Sequence, residues 1–254
     1  MPDLDKLTWP EAAGFFNART VAILPVGSTE PHGPHLPLDT DVTIATAWAR
    51  SAAAELEALE VPALVLPPLA YGLTNWTCGF AGRVTLRPGT LWALLEDIVL
   101  SLERDGLRRV VFANAHLEPE HVQILRGVAL DHARRTSERA QVVFVDVTRR
   151  AHAQELGDEF RSGDCHAGRY ESSLVLAADP AAVRERERRG LPPVGIDLIA
   201  KMRSGVSSFR AAGAERAYCG DPASASAAEG EDLLRRLSAM LVASVRETWP
   251  DLVA

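Results

Sequence analysis

Short, continuously apolar runs alternate along the chain with longer stretches in which apolar residues return every three or four positions. VAILPVG (21–27), ALVLPPLAYG (63–72), RRVVFANA (108–115) and QVVFVDV (141–147) lack polar alternation, which predicts strands buried on both faces. The helical period predicts helices over 44–59, 90–106, 119–135, 171–179 and 225–249. Thr90 is read as the N-cap of the second and Gly106 as its stop, and Pro119 stands at the favoured first position of the third. Residues 180–222, rich in proline and glycine, read as irregular, a cover for the site or a contact with another subunit.

Strand–helix alternation with apolar strands predicts an α/β fold, a three-layer α/β/α sandwich around a mainly parallel central sheet, with 1–254 as a single domain. In such sheets the loops at the carboxyl ends of the strands build the site. That rule selects 27–41, 72–82, 115–118 and 148–170.

Composition narrows the class. The 254 residues are 47% apolar and 24% charged, with a net charge of −7 and no block of basic residues, so a nucleic-acid partner is not expected. The three cysteines are far apart and form no CxxC pair, which argues against a disulfide framework. The first residues lack a basic and then apolar leader, and no apolar run nears the ~20 residues that span a bilayer. The expectation is a cytoplasmic protein with no membrane partner.

The selected loops hold the chemistry. GSTEPHGPHLPLDTD (27–41) carries Glu30, His32 and Asp41, and the third strand is followed by His116 and Glu118. Residues two apart in extended chain face the same side, so each Glu–His pair can look into one pocket. Two such pairs and an aspartate suit two divalent ions bridged by Asp41, and nitrogen and oxygen donors without thiolate suit Zn2+ or Mn2+. Taken singly each residue has a plainer role: Asp41 as a helix cap, Glu118 as an acid at a helix start, each histidine as a hydrogen-bonded loop residue.

The same segment resembles the signature E-x-H-G-x-H-L-P-L-x-T-D of the creatininase (creatinine amidohydrolase) family. HAGRYESS (166–173) is similar to its H-A-G-x-x-E-T-S, with Ser172 for threonine. GDPASASAAEG (220–230) and YGLTNWTCGFAGRVTL (71–86) resemble two further family segments, and the likeness extends near the C-terminus to the mycofactocin precursor peptide peptidases. The resemblance implies amide hydrolysis at two metals in a homo-oligomer, often a hexamer. It assigns Glu30, Asp41 and His116 to one ion and His32, Asp41 and Glu118 to the other. His166 would carry a proton to the leaving nitrogen, with Glu118 also catalytic. Thr74, Trp76, Leu117 and Cys165 would line the substrate pocket, and His35 and Glu171 would support the ligands from behind.

Departures bear on the substrate. Leu117 stands where creatininase has an aromatic residue, and Ser162 and Cys165 replace its tryptophan lid and a glutamate, so creatinine itself is not expected. The expectation is a small-molecule substrate, a cyclic or other small amide, with a peptidase or deformylase of the same fold and an inactive metal-binding subunit as the alternatives. A pocket open at one end would favour peptides, and a small closed one a cyclic or formyl amide.

Overall fold

The structure, a computed structural model, describes residues 2–134, 136 and 139–252. In chain order the elements are α1 (Trp9–Ala13), β1 (Val21–Val26), α2 (Thr40–Ala58), β2 (Ala63–Val65), α3 (Pro88–Arg104), β3 (Arg109–Asn114), α4 (Pro119–Ala133), β4 (Gln141–Phe144), α5 (Arg150–Ala153), α6 (Asp158–Ser162), α7 (Arg169–Ala178), α8 (Glu185–Arg189), α9 (Leu198–Arg203), α10 (Phe209–Ala212) and α11 (Ala227–Thr248). The four strands form a parallel sheet in the order β2-β1-β3-β4.

Alternate strand residues point to opposite faces, and each face meets its own helices. Val21, Ile23, Val111 and Ala113 pack with Trp48, Leu174 and Leu241 of α2, α7 and α11. Ala22, Leu24, Val110 and Phe112 pack with Leu95, Val99 and Leu125 of α3 and α4. The uninterrupted apolar runs are thus the signature of a sheet with no solvent face.

Several boundaries differ from the expectation. β2 ends at Val65 and β4 at Phe144, and the residues after them leave the sheet as loops toward the site. α2 begins at Thr40, with Asp39 at its N-cap, so Asp41 lies inside the first turn and does not cap the helix. α3 begins at Pro88 behind Arg87, so Thr90 is not its N-cap: proline fixes the first helical φ and needs no amide partner there. The last position expected for the third helix, 135, lies outside the described residues. Residues 180–222 hold three short α-helices, α8 to α10, and a 3-10 turn at Pro180–Ala182.

Candidate metal centre

Register explains why distant residues meet. Val26, the last residue of β1, is paired with Asn114, the last of β3. The loops carrying Glu30, His32 and His116 therefore leave the sheet side by side. α2 then returns its first turn beneath them, because Gly27 lets the chain pass against the backbone of Asp41 and Val42.

Glu30, Asp41 and His116 bring one donor atom each within 4.8 Å of one another, and so do His32, Asp41 and Glu171. His116 Nδ1 lies 3.1 Å from Glu30 Oε1 and 3.0 Å from Asp41 Oδ2. His32 Nε2 lies 3.1 Å from Asp41 Oδ1 and 3.5 Å from Glu171 Oε2. Asp41 thus offers one oxygen to each cluster. A third grouping joins Glu30, His32 and His166.

The far side of each imidazole fixes its tautomer. His32 Nδ1 faces the carbonyl of Glu30 at 3.1 Å, and His116 Nε2 faces that of Leu73 at 2.5 Å. A carbonyl only accepts, so those nitrogens carry protons and leave Nε2 of His32 and Nδ1 of His116 turned to the carboxylates. Ser28 donates to Asp41 Oδ2 at 2.8 Å and Thr77 to Glu30 Oε2 at 3.0 Å, which sets the planes of both carboxylates.

The five residues are at most 4% exposed. Burial disfavours the charged form of every one, yet the charges hold each other in place. Burial pulls His32 down, but Asp41, Glu171 and Glu30 outweigh it and raise its pKa to about 10. Asp41 is held well below the carboxylate range by His32 and His116 against the same opposing burial. Glu171 goes the other way, to about 8, because its burial exceeds the help it receives from His32.

These residues fit a divalent cation. Three buried carboxylates converge with no lysine or arginine bonded to them among the described residues. His32 Nε2 is fully buried, and apart from the two carboxylates that flank it no polar group reaches it among the described residues. Burying a charge costs several kcal/mol unless it is compensated, and a cation at the shared focus supplies that compensation.

The resemblance put Glu118 with His32 and Asp41, whereas the structure puts Glu171 there. Glu118 is the N-cap residue of α4, and its Oε2 accepts the N–H of Trp76 at 3.1 Å, which draws it to the cavity wall and out of both clusters. Burial raises its pKa to about 7, against His116. Glu171, expected behind the ligands, stands in the second cluster itself, with Oε2 accepting the N–H of Ala167 at 2.6 Å.

The clusters form the floor of a cavity of about 640 Å³ whose outer lining is solvent-exposed. Trp76, Leu117, Cys165 and His166 line it, and Thr74 does not: that residue is buried behind the wall, where its carbonyl accepts from Thr77 and Arg83. His166 bonds the carbonyl of Pro31 through Nε2 and stacks on Phe209 with centroids 4.1 Å apart. Burial, and then His32, lower its pKa to about 4. The Cys165 thiol is pushed well above its ordinary range by burial, which leaves it no thiolate character for a nucleophile. His35 shares a hydrogen bond with Ser172 at 2.8 Å and takes no part in the clusters.

Sequence reasoning missed a relay behind His116. Asn114 donates to the carbonyl of His116 at 2.6 Å and accepts from His121 Nε2 at 3.1 Å, while His121 Nδ1 accepts from Leu73 at 3.4 Å. His121 lies on the apolar stripe of α4 and reads there as a core residue. Its only sequence signal is a third histidine-capable position within one turn of the His116 loop.

The profile of the family described as "Creatininase: Creatinine amidohydrolase" matches residues 5–245. A mycofactocin precursor peptide peptidase of Mycobacterium tuberculosis (strain CDC 1551 / Oshkosh) is 37% identical over 230 residues, covering 87% of this chain and 80% of that protein. A solved creatininase described as the Mn form superposes with a TM-score of 0.72 at 25% identity, over 97% of this chain and 98% of that one. A mutant creatininase of the Zn-Zn type superposes with a TM-score of 0.73 at 25% identity, over 98% of this chain and all of that one (100%).

Proposed function

The chain belongs to the creatininase family, and from that premise we propose that it is a dinuclear metal-dependent hydrolase that cleaves an amide bond of a peptide. Amide-bond hydrolysis is the chemistry of the family, and the two clusters sharing Asp41 supply the donors for two divalent ions, zinc or manganese. The peptide reading rests on the cavity. Its roughly 640 Å³ lies within the range that takes drug-sized ligands, it opens to solvent, and its wall is apolar. The peptidase relative supports the same substrate class. Creatinine is disfavoured by Leu117, Ser162 and Cys165 at the positions that would grip it.

Divalent ions, when bound, polarise the scissile carbonyl and lower the pKa of water. Glu30, Asp41 and His116 would hold one ion, and His32, Asp41 and Glu171 the other. Ser28 and Thr77 fix the carboxylate planes, and the Asn114–His121 relay fixes the segment that carries His116. Glu118, which accepts from Trp76 and lines the cavity, would take a proton from the attacking water and hand it to the leaving nitrogen. His166, held by Pro31 and Phe209, would be a second proton carrier at the floor.

The test is hydrolysis of a mixed library of N-acetylated tetrapeptides by zinc- or manganese-loaded protein, read by mass spectrometry. Cleavage that disappears on chelation and in Glu30→Gln is the expected result. Intact peptides alongside opening of a small cyclic amide would refute the peptide reading.

A further inference from the structure

The outer cavity carries charge opposite to its floor. Beyond the clusters and Glu118, the lining contains Arg126, Arg150, Arg161 and Arg203 and no further carboxylate. On a chain of net charge −7, four arginines facing one cavity make a local reversal of sign.

The four are not equivalent. Arg126 is held by Asp146 at 2.7 Å and by the Thr148 hydroxyl at 2.8 Å. Arg161 is paired with Asp158, one turn away on α6. Arg150, at the start of α5, and Arg203, at the end of α9, are exposed and have no carboxylate partner among the described residues. The same lining holds Phe160, Leu198 and Phe209, which are buried, and the partly buried Met202, whereas the two arginines are exposed. A ligand seated there meets exposed cations, apolar surface and the buried carboxylates of the floor.

An extended peptide advances about 3.3 Å per residue, so a cavity of this size admits only a short stretch beyond the scissile bond. Whatever ends that stretch reaches the rim. We propose that Arg150 and Arg203 bind a carboxylate of the substrate a few residues from the cleaved amide, either the free C-terminus of a short leaving fragment or an acidic side chain. This rests on the peptide-hydrolase reading and adds the anionic group to it. Guanidinium recognises carboxylate with two parallel N–H donors, which gives both strength and direction.

Three inert probes separate the possibilities in calorimetric titrations of zinc-loaded protein. Each is a succinyl hydroxamate with an isobutyl side chain; one ends in Ala-Phe free acid, one in Ala-Phe amide and one in Ala-Asp amide. At least one acidic probe should bind about tenfold more tightly than the neutral amide, and which one does so identifies the terminal or the side-chain carboxylate. The preference should shrink to within about twofold in the Arg150→Gln/Arg203→Gln protein and in high salt, and persist in Arg246→Gln, on a distant exposed turn of α11. Equal binding of all three probes would overturn the proposal while leaving the metal floor intact. Binding of none would overturn the hydrolase reading and the proposal together.

Discussion

Gly27→Ala tests whether the close approach of β1 to α2 positions Asp41, the carboxylate common to both clusters. A Cβ there would fall 2.6 Å from the backbone nitrogen of Val42 and 2.7 Å from the carbonyl carbon of Asp41. Both are main-chain atoms of the first turn of α2, so no side-chain rotation relieves the contact. Ordinary van der Waals contact begins near 3.4 Å, so α2 must retreat by most of an ångström and take Asp41 with it. Overpacking of this kind costs about 1–3 kcal/mol. A misplacement near 1 Å at the reacting centre costs about 100-fold in rate. Urea unfolding of metal-free protein reads the first effect, and zinc titration against a chromophoric chelator reads the displacement as weakened binding. Gly89→Ala is the control: nothing lies within 4 Å of its Cβ, and a helical alanine there should be neutral or stabilising by up to about 1 kcal/mol. If Gly27→Ala unfolds at the wild-type urea concentration and binds zinc with wild-type affinity, the packing argument for Asp41 is wrong.

Chelation should lower the melting temperature, and zinc at about 100 times its dissociation constant should restore roughly 2.7 kcal/mol of stability; a melt indifferent to chelator and zinc would contradict a metal in the fold. Gly230→Ala should destabilise by about 1–3 kcal/mol despite alanine's helix preference, because its Cβ would lie 1.9 Å from the Ser173 carbonyl oxygen where α11 crosses α7; a raised melting temperature would refute this. Burial would raise the pKa of Asp146, but bonds from Arg126 and Thr148 outweigh it and hold the carboxyl below its usual 3.8. A carboxylate depressed in the folded state stabilises above its unfolded pKa and loses that contribution as pH falls through the folded value. The urea midpoint of Asp146→Asn should therefore fall furthest below wild type near neutral pH, and the gap should close below about pH 4; a gap that widens in acid would refute the assignment.

The sheet was legible because buried parallel strands leave uninterrupted apolar runs, and four of the converging side chains were legible because their loops follow those runs. Glu30 and His32, and His116 by itself, needed only the rule that loops at strand ends face one another. Asp41 was legible as a candidate ligand but not as a helical residue: the apolar period of α2 is read from Ile44, while its first turn carries Thr40, Asp41 and Thr43. Glu171, expected behind the ligands, lies in the cluster with His32 and Asp41. It sits in the first turn of α7, where an acid is favoured on local grounds alone, and its approach to His32 depends on α7 packing against α2 and α11. Glu118, which the resemblance assigns to the second ion, lies outside both clusters: spacing pointed it at the pocket and could not show the Trp76 amide from which it accepts.

The most direct test is anomalous diffraction at the zinc edge from crystals of the zinc-loaded protein. Two peaks are expected per chain, both within bonding distance of Asp41, one also touching Glu30 and His116 and the other His32 and Glu171. Peaks elsewhere on the chain, with none at Asp41, would contradict the account.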